Sequence, residues 1–527
     1  MKRFLRLLTN NWLLLVVLGI AFITRFYRLG ELTTFGGDQG VDYLRVFEML
    51  ESRRPTLLGP VTHVGVYLGP LYYYMLAPFF LIFKFDPMAA PVMFALFGTV
   101  TVGLVYLLAD SILRPGLAAA RLPARQARPG LSKLLAFLTA MFYAVSPVIL
   151  ESSRAPSQPH LIPFFVTLLL ISTVRIIEGR AGKWDLAAIG ITLSATIQFH
   201  FLAFPLWVFA AIVLVKKGLS LPYGKDSPYK ILWLAIPAAI LLFPWFLFEL
   251  RHNFFITHQI FSYLQSGEVG FSPAAYPERV LDLTWFSFDK LVGQGNQLLT
   301  FLAIVFALAG ISVFLYNQES PGRTPRRLLM MIIFFVSVNI FGISLYSFPL
   351  SNHYISALYP VVIILTAYGI FQIIPHRLGI ITFILFIIFT LGKNDFFRNH
   401  GYTMPEGVTT KTIEKAAAVI ADDIRDKGGT FEVANTLDGD TIAYPYRYVL
   451  TAVHKLKPLG VEKYPEAARL YIVSREAPKK LLVDRRWELL SFPVAGVDKL
   501  AEVSPGIYIT RFTAGTADRG ELIGESL

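Results

Sequence analysis

The segment Phe35-Gly36-Gly37-Asp38-Gln39-Gly40-Val41-Asp42-Tyr43 sets one carboxylate, Asp38, among glycines and a second, Asp42, one helical turn further on. A carboxylate facing a reacting group can take a proton from a poorly nucleophilic hydroxyl or amine. Glycine on either side admits backbone conformations closed to other residues and lets a substrate come close. Asp38, in a glycine-flanked turn, is therefore the candidate general base. The competing reading is a solvated aspartate in an exit loop, and the rest of the chain has to decide between them.

Cations form the second group. Arg25, Arg28, Arg45, Arg154, Arg251, His252 and His353 all fall near ends of long apolar runs, where a charge is costly unless it has a partner. An arginine fork suits phosphate oxygens, whereas a lone interface cation simply snorkels. Eight of the nine histidines (His63, His160, His200, His252, His258, His353, His400 and His454) fall on the same side as Asp38, with His376 opposite. No HxH or HxxxH spacing occurs, so metal binding, donation to phosphate and a wet interface stay open for them. The chain has no cysteine, which excludes disulfides, thiolate zinc sites and cysteine nucleophiles.

The elements that must position these groups are membrane helices. With 54% hydrophobic residues, mean hydropathy +0.55 and repeated apolar runs, the chain reads as a polytopic α-helical membrane protein. Eleven spans are expected, near 12–30, 88–108, 134–150, 161–177, 186–200, 201–215, 231–249, 298–316, 328–346, 356–374 and 378–392. Lys2, Arg3 and Arg6 precede the first run and no small-residue cleavage site follows it, so that span is read as retained.

The alternate loops 1–11, 109–133, 175–185, 216–230, 317–327 and 375–377 hold nineteen Lys or Arg, whereas the short loops near 151–160 and 347–355 hold only Arg154. The positive-inside rule then puts the N-terminus in the cytoplasm and residues 393–527 outside the plasma (inner) membrane. It also accounts for the net charge of +12 without nucleic acid.

Residues 1–392 thus make a transmembrane domain with long outer loops 31–87 and 250–297. In the first loop, Val41 to Glu51 reads as an amphipathic helix, and the Pro-broken run Leu68–Phe83 as an interfacial segment too short to cross. Residues 393–513 read as an extracytoplasmic α/β domain, followed by a disordered tail, 514–527. Helices are expected over Thr410–Lys427 and Thr441–His454, and strands over Phe431–Ala434, Leu470–Ser474, Trp487–Phe492 and Ile507–Phe512. This domain shows neither a nucleotide loop nor a Ser-His-Asp pattern and reads as a structural or acceptor-guiding cap.

Asp38-Gln39, Gly69-Pro70-Leu71-Tyr72-Tyr73-Tyr74, Ser146-Pro147 through Ser153-Arg154, Gln158-Pro159 and an aromatic end near His200 and Pro205 occur in that order. Over about 1–375 this order resembles the lipid-carrier-dependent glycosyltransferases of the GT-C superfamily, in particular the aminoarabinose-transferase and protein-mannosyltransferase-like group. The chain departs from their pattern in three places, one being that Gly69-Pro70-Leu71 lacks the preceding lysine of some members. It has Asp38-Gln39 where Asp-Glu is usual, and Gln158-Pro159-His160 where Asp-Pro is common. Fewer carboxylates leave less for a hard cation, so no cofactor is required and a divalent cation is left open.

The resemblance implies a sugar donor carried on polyprenyl phosphate, transferred with inversion to an acceptor that could be lipid, glycan or protein. In that frame Asp38 is the base, and Arg154, Arg45, Arg251, His252 and His353 are candidates for the donor phosphate. Asp42, Tyr43, Tyr67, Gln158 and His200 are candidates for sugar or acceptor. A secondary transporter would show half-to-half repeats, which the sequence lacks; a non-catalytic lipid-binding protein of the envelope would fit the two glutamine departures.

Overall fold

The computed structural model describes residues 12–62, 64–119, 129–217, 230–265, 273–316, 323–346 and 349–515. Residues 1–11, parts of the basic loops at 109–133, 216–230 and 317–327, His63 and all but the first two residues of the expected tail 514–527 lie outside them, and Ala514 of that tail belongs to a strand.

Each expected span holds a helix, because a long apolar run away from water must satisfy its backbone within itself. In chain order the main helices are α1 Trp12–Phe26, α2 Gly37–Ser52, α3 Leu71–Ile82, α4 Ala89–Ala119, α5 Pro129–Val145 and α6 Ile162–Ile177. They continue with α7 Lys183–Phe199, α8 Phe204–Lys217, α9 Lys230–Arg251, α10 Phe255–Gln265, α11 Tyr276–Phe288 and α12 Gln297–Tyr316. The last are α13 Arg323–Ile343, α14 Tyr359–Ile373, α15 His376–Lys393 and α16 Thr410–Lys427.

Seven helices among the described residues are long and apolar enough to cross a membrane: α4, α6, α9, α12, α13, α14 and α15, two of them with a short leading turn. The remaining expected spans, α1, α5, α7 and α8, are shorter. At 12 residues, α3 is only about 18 Å long against a hydrocarbon core of about 30 Å.

Burial separates the centre of the bundle from its rim. From Tyr359 to Phe371 every residue of α14 is buried, so this helix is the axis against which the others pack. By contrast α9 packs on α7 along one side and exposes Ile236, Ile240, Phe243 and Phe246 on the other, an apolar face suited to lipid.

The C-terminal residues fold as a four-stranded sheet, β1 Phe431–Asn435, β2 Arg469–Ser474, β3 Val494–Ser504 and β4 Ile507–Ala514, in the order β1-β2-β4-β3. β1 and β2 pair in parallel and the other neighbours antiparallel, with β3 at the edge. Helix α16 begins at Thr409, whose Oγ1 accepts from the Thr412 N–H at 3.2 Å, and stops at Gly428, where φ is +63°.

Two expectations here are corrected. Trp487–Leu490 is a helical turn, and the strand starts only at Val494. Edge strand β3 carries Asp498, Lys499 and Glu502 exposed, buries only Val494 and Val503 fully and has three register shifts, so no apolar alternation announces it. The expected helix Thr441–His454 shrinks to Tyr444–Tyr448, followed by a wider π-type turn over Val449–Val453.

The sheet domain is not a separate lobe. One apolar cluster runs from α2, α3 and α4 through Tyr446 and Tyr448 into α16 and β1, while a smaller core lies around Leu470, Leu481 and Phe512. Tyr448 is the pin: its ring packs edge-on against Phe35, Tyr43 and Phe80, and its hydroxyl donates to the Phe85 carbonyl at 2.7 Å.

Candidate active site

At the end of the bundle that carries the sheet domain lies a cavity of about 1190 Å³. Helix α2 delivers Asp38 into it. The expected helix start at Val41 is corrected, since α2 begins at Gly37 and Asp38 sits in its first turn. The cause is a capping arrangement: Gln39 Oε1 accepts from the Gly36 N–H at 2.9 Å and so satisfies one of the free donors of a helix N-terminus. The Gln39 Nε2 group then donates to the Pro156 carbonyl at 2.8 Å, tying α2 to the loop after α5. Asp38 itself is exposed to the cavity and carries the only carboxylate of this first turn.

The glycines beside Asp38 make room for protein. A Cβ on Gly37 would stand 2.9 Å from Asp440 Cγ, and one on Gly40 only 2.4 Å from the Tyr444 carbonyl carbon. The sheet domain thus rests directly on α2, and the loop Asp438-Gly439-Asp440 with Tyr444 forms part of the cavity wall.

His160, one of the histidines noted in the sequence, also lines this cavity, together with groups that no motif marked: Glu151 from the short helix Pro147–Ser152, Lys290 after α11, Lys393 at the end of α15, and Asp440. Their signal was weak because Glu151, Lys290 and Lys393 are lone polar residues at helix ends and Asp440 lies in a loop of the sheet domain, and only packing assembles them. Glu151 is largely desolvated, which pushes its carboxyl up to about 7 despite the opposing pull of Arg398 and Arg154. Lys290 lies 3.6 Å from Asp289 and over the Phe286 ring, and Lys393 over the Phe389 ring, so both keep an ammonium at the cavity with an aromatic neighbour.

Of the residues singled out from the sequence, Asp38 and His353 line the cavity. His353 Nδ1 and Ser351 Oγ are 2.8 Å apart, and its ring lies 5.4 Å from that of His200, which stands just behind. Arg154 does not line it. Its guanidinium is buried, donates to the Thr24 carbonyl and faces the Phe396 ring, and desolvation lowers it to about 10. Arg45 is solvent-exposed and paired with Glu48 at 3.1 Å. Arg251 and His252 are exposed at the end of α9, the histidine stacked on Phe248 with ring centroids 4.0 Å apart.

Asp42 faces away from the cavity, into the protein. It accepts from the Tyr73 hydroxyl at 2.9 Å, and burial pushes its carboxyl up to about 8. Tyr43 stacks at 5.3 Å on Phe35 within the domain interface. Tyr67 bridges to Val61 on the loop before α3, and Gln158 opens the turn before α6; neither lines the cavity. Among the described residues no group of three or more His, Cys, Asp or Glu is placed to hold a metal ion.

Seven helices long and apolar enough to cross a membrane, with a sheet-capped cavity lined by charged residues, define the class of fold. The fold is that of ArnT from Cupriavidus metallidurans. The crystal structure of ArnT bound to undecaprenyl phosphate matches with a TM-score of 0.55 at 12% identity, over 96% of this chain and 98% of that one. The apo structure matches with a TM-score of 0.54 at 11% identity, over 97% and 99%. The oligosaccharyltransferase AglB from Archaeoglobus fulgidus, in complex with an inhibitory peptide and a dolichol-phosphate, matches at 0.47 and 12% identity, over 88% of this chain and 70% of that one. No protein-family model and no curated protein matches the sequence.

Proposed function

We propose that this protein is an inverting glycosyltransferase that moves a sugar from a polyprenyl-phosphate carrier to an acceptor on the outer face of the membrane. The observation that carries the reading is the placement of Asp38: a carboxylate on a helix N-terminus, aimed into a large cavity that also holds Lys290 and Lys393. The ArnT fold supports it, since that protein has been crystallised with undecaprenyl phosphate.

The chemistry follows from bond polarity. An acceptor oxygen or nitrogen attacks the anomeric carbon from the face opposite the phosphate, and the C–O bond to phosphate breaks with its electron pair staying on the phosphate. This leaving group is already a weak base, so cations help it more than an acid would. Lys290, Lys393 and His353 are the groups at the cavity for that task, which moves the phosphate role away from Arg154. The proton released by the acceptor goes to a carboxylate, and Asp38, open to the cavity, is our choice. Glu151 is the rival, because a carboxyl held near 7 is well matched to a base at neutral pH.

The experiment is to purify the full chain, measure undecaprenyl phosphate binding, and follow turnover of polyprenyl-phosphate sugars. Binding without any turnover across a panel of sugars and acceptors would favour a non-catalytic lipid-binding protein. Absence of binding would end the reading.

A further inference from the structure

The two lysines and the Asp438 and Asp440 carboxylates enter the cavity on different elements, while Glu151 comes from the short helix Pro147–Ser152. Lys290 lies on the turn packed against Pro147–Ser152, and Lys393 ends α15. On the side of α2, the wall next to Asp38 is supplied by the sheet domain through Asp438-Gly439-Asp440 and Tyr444. Transfer of a sugar needs two subsites, one for the donor phosphate and one for the acceptor, and the carboxylate wall is the one suited to hydroxyls.

The loop is built to hold its carboxylates still. Asp438 Oδ1 accepts from Asn435 Nδ2 at 2.7 Å and from the Asp440 N–H at 2.9 Å, and Asp440 Oδ2 accepts from the Tyr444 N–H at 2.9 Å. Asp438 Oδ2 takes no hydrogen bond from the described residues, which leaves it open at the cavity. Between them Gly439 has no left-handed φ, and a Cβ there would meet nothing within 4 Å. That glycine is not needed for a turn or for packing, so its missing side chain leaves space in the cavity. Tyr402 and Tyr444 add ring surface beside the carboxylates.

We propose that Asp438-Gly439-Asp440 forms the acceptor subsite and that the acceptor is a saccharide, whose ring hydroxyls donate to the Asp438 and Asp440 carboxylates beside Asp38. The proposal rests on the glycosyl-transfer reading above. Paired carboxylates with neighbouring tyrosine rings suit the mixed polar and apolar face of a pyranose. Two lysines in the same cavity work against an ammonium-bearing acceptor.

The test uses the full chain in detergent micelles. Saturation-transfer NMR would probe cellobiose, maltotriose and N,N′-diacetylchitobiose, with free-amine chitobiose as the charged counterpart. Undecaprenyl phosphate binding would be measured on the same preparations. At least one neutral saccharide is expected to bind. Gly439→Leu, which fills the gap, and the double variant Asp438→Asn with Asp440→Asn should each weaken that binding by about tenfold or more, as the loss of one or two charge-assisted hydrogen bonds implies. The lipid phosphate should still bind.

No neutral saccharide binding, equal binding in all variants, or a preference for the free amine would each overturn the subsite. Saccharide effects as expected in a protein that does not bind undecaprenyl phosphate would uphold the subsite and remove the donor reading instead.

Discussion

Gln39 donates from its side-chain amide to the carbonyl of Pro156 at 2.8 Å, a bond that joins the first turn of α2 to the loop after α5. A glutamate in its place could accept from the Gly36 N–H but could not donate to Pro156, so the amide at this position is a structural choice. Gln39 is also buried. Gln39→Glu should therefore cost roughly 1–3 kcal/mol of stability, that of an unsatisfied buried acceptor, and so lower the melting temperature, and activity should fall with it as Asp38 loses its fixed position. Thermal melts of both proteins check this; unchanged stability would mean that the amide link is dispensable.

Asp38→Asn preserves size and most hydrogen bonding but cannot take a proton at neutral pH. Turnover should drop by roughly 10²-fold or more while undecaprenyl phosphate binding stays near the wild-type value. Glu151→Gln is the companion variant. Normal turnover in Asp38→Asn with a dead Glu151→Gln would assign the base to Glu151, and activity in both would defeat the enzyme reading of this cavity.

Lys290→Ala and Lys393→Ala should each weaken binding of undecaprenyl phosphate, the more so at low salt, because both ammonium groups line the cavity. Arg45→Ala should leave it unchanged, since that side chain is exposed and already paired with Glu48. Arg154→Ala should act on stability instead, because the buried guanidinium serves the Thr24 carbonyl. Isothermal binding and melting curves on the same preparations separate the two kinds of effect.

The Asp42 carboxyl predicts a pH dependence of stability. Its ordinary value is near 4 in an unfolded chain, and burial pushes it up to about 8 in the folded one. Between those values the folded protein holds a proton that the unfolded chain has released, so stability falls as pH rises from about 4 to about 8 and levels off above. Asp42→Asn should flatten that slope and melt higher than wild type at pH 8. A slope unchanged by the substitution would place the titration elsewhere.

Orientation is open to a direct test. A reporter fused after Asp395 should be active only outside the cytoplasm, since nineteen Lys and Arg fall in the loops of the opposite side. Activity in the cytoplasm would reverse the topology and with it the assignment of the cavity to the outer face.

The helices were legible because their cause is local. An apolar run such as 298–316 or 356–374 must form a helix wherever water is absent, whatever its neighbours are, and α12 and α14 appear at those places within a few residues. Asp38 stood out as a carboxylate among glycines and does line the cavity, although the glycines proved to seat the sheet domain.

What the chain could not announce is which end-of-helix residues meet. Lys290, Lys393, Glu151 and Asp440 lie far apart in sequence, and no spacing rule links them; packing of α11, α15 and the sheet domain around α2 brings them to one cavity. Arg154 shows the converse. By position it looked like a phosphate partner, yet the direction of its side chain, set by Thr24 and Phe396, turns it into the protein. Side-chain direction depends on contacts between distant segments, and that information exists only once the chain has folded.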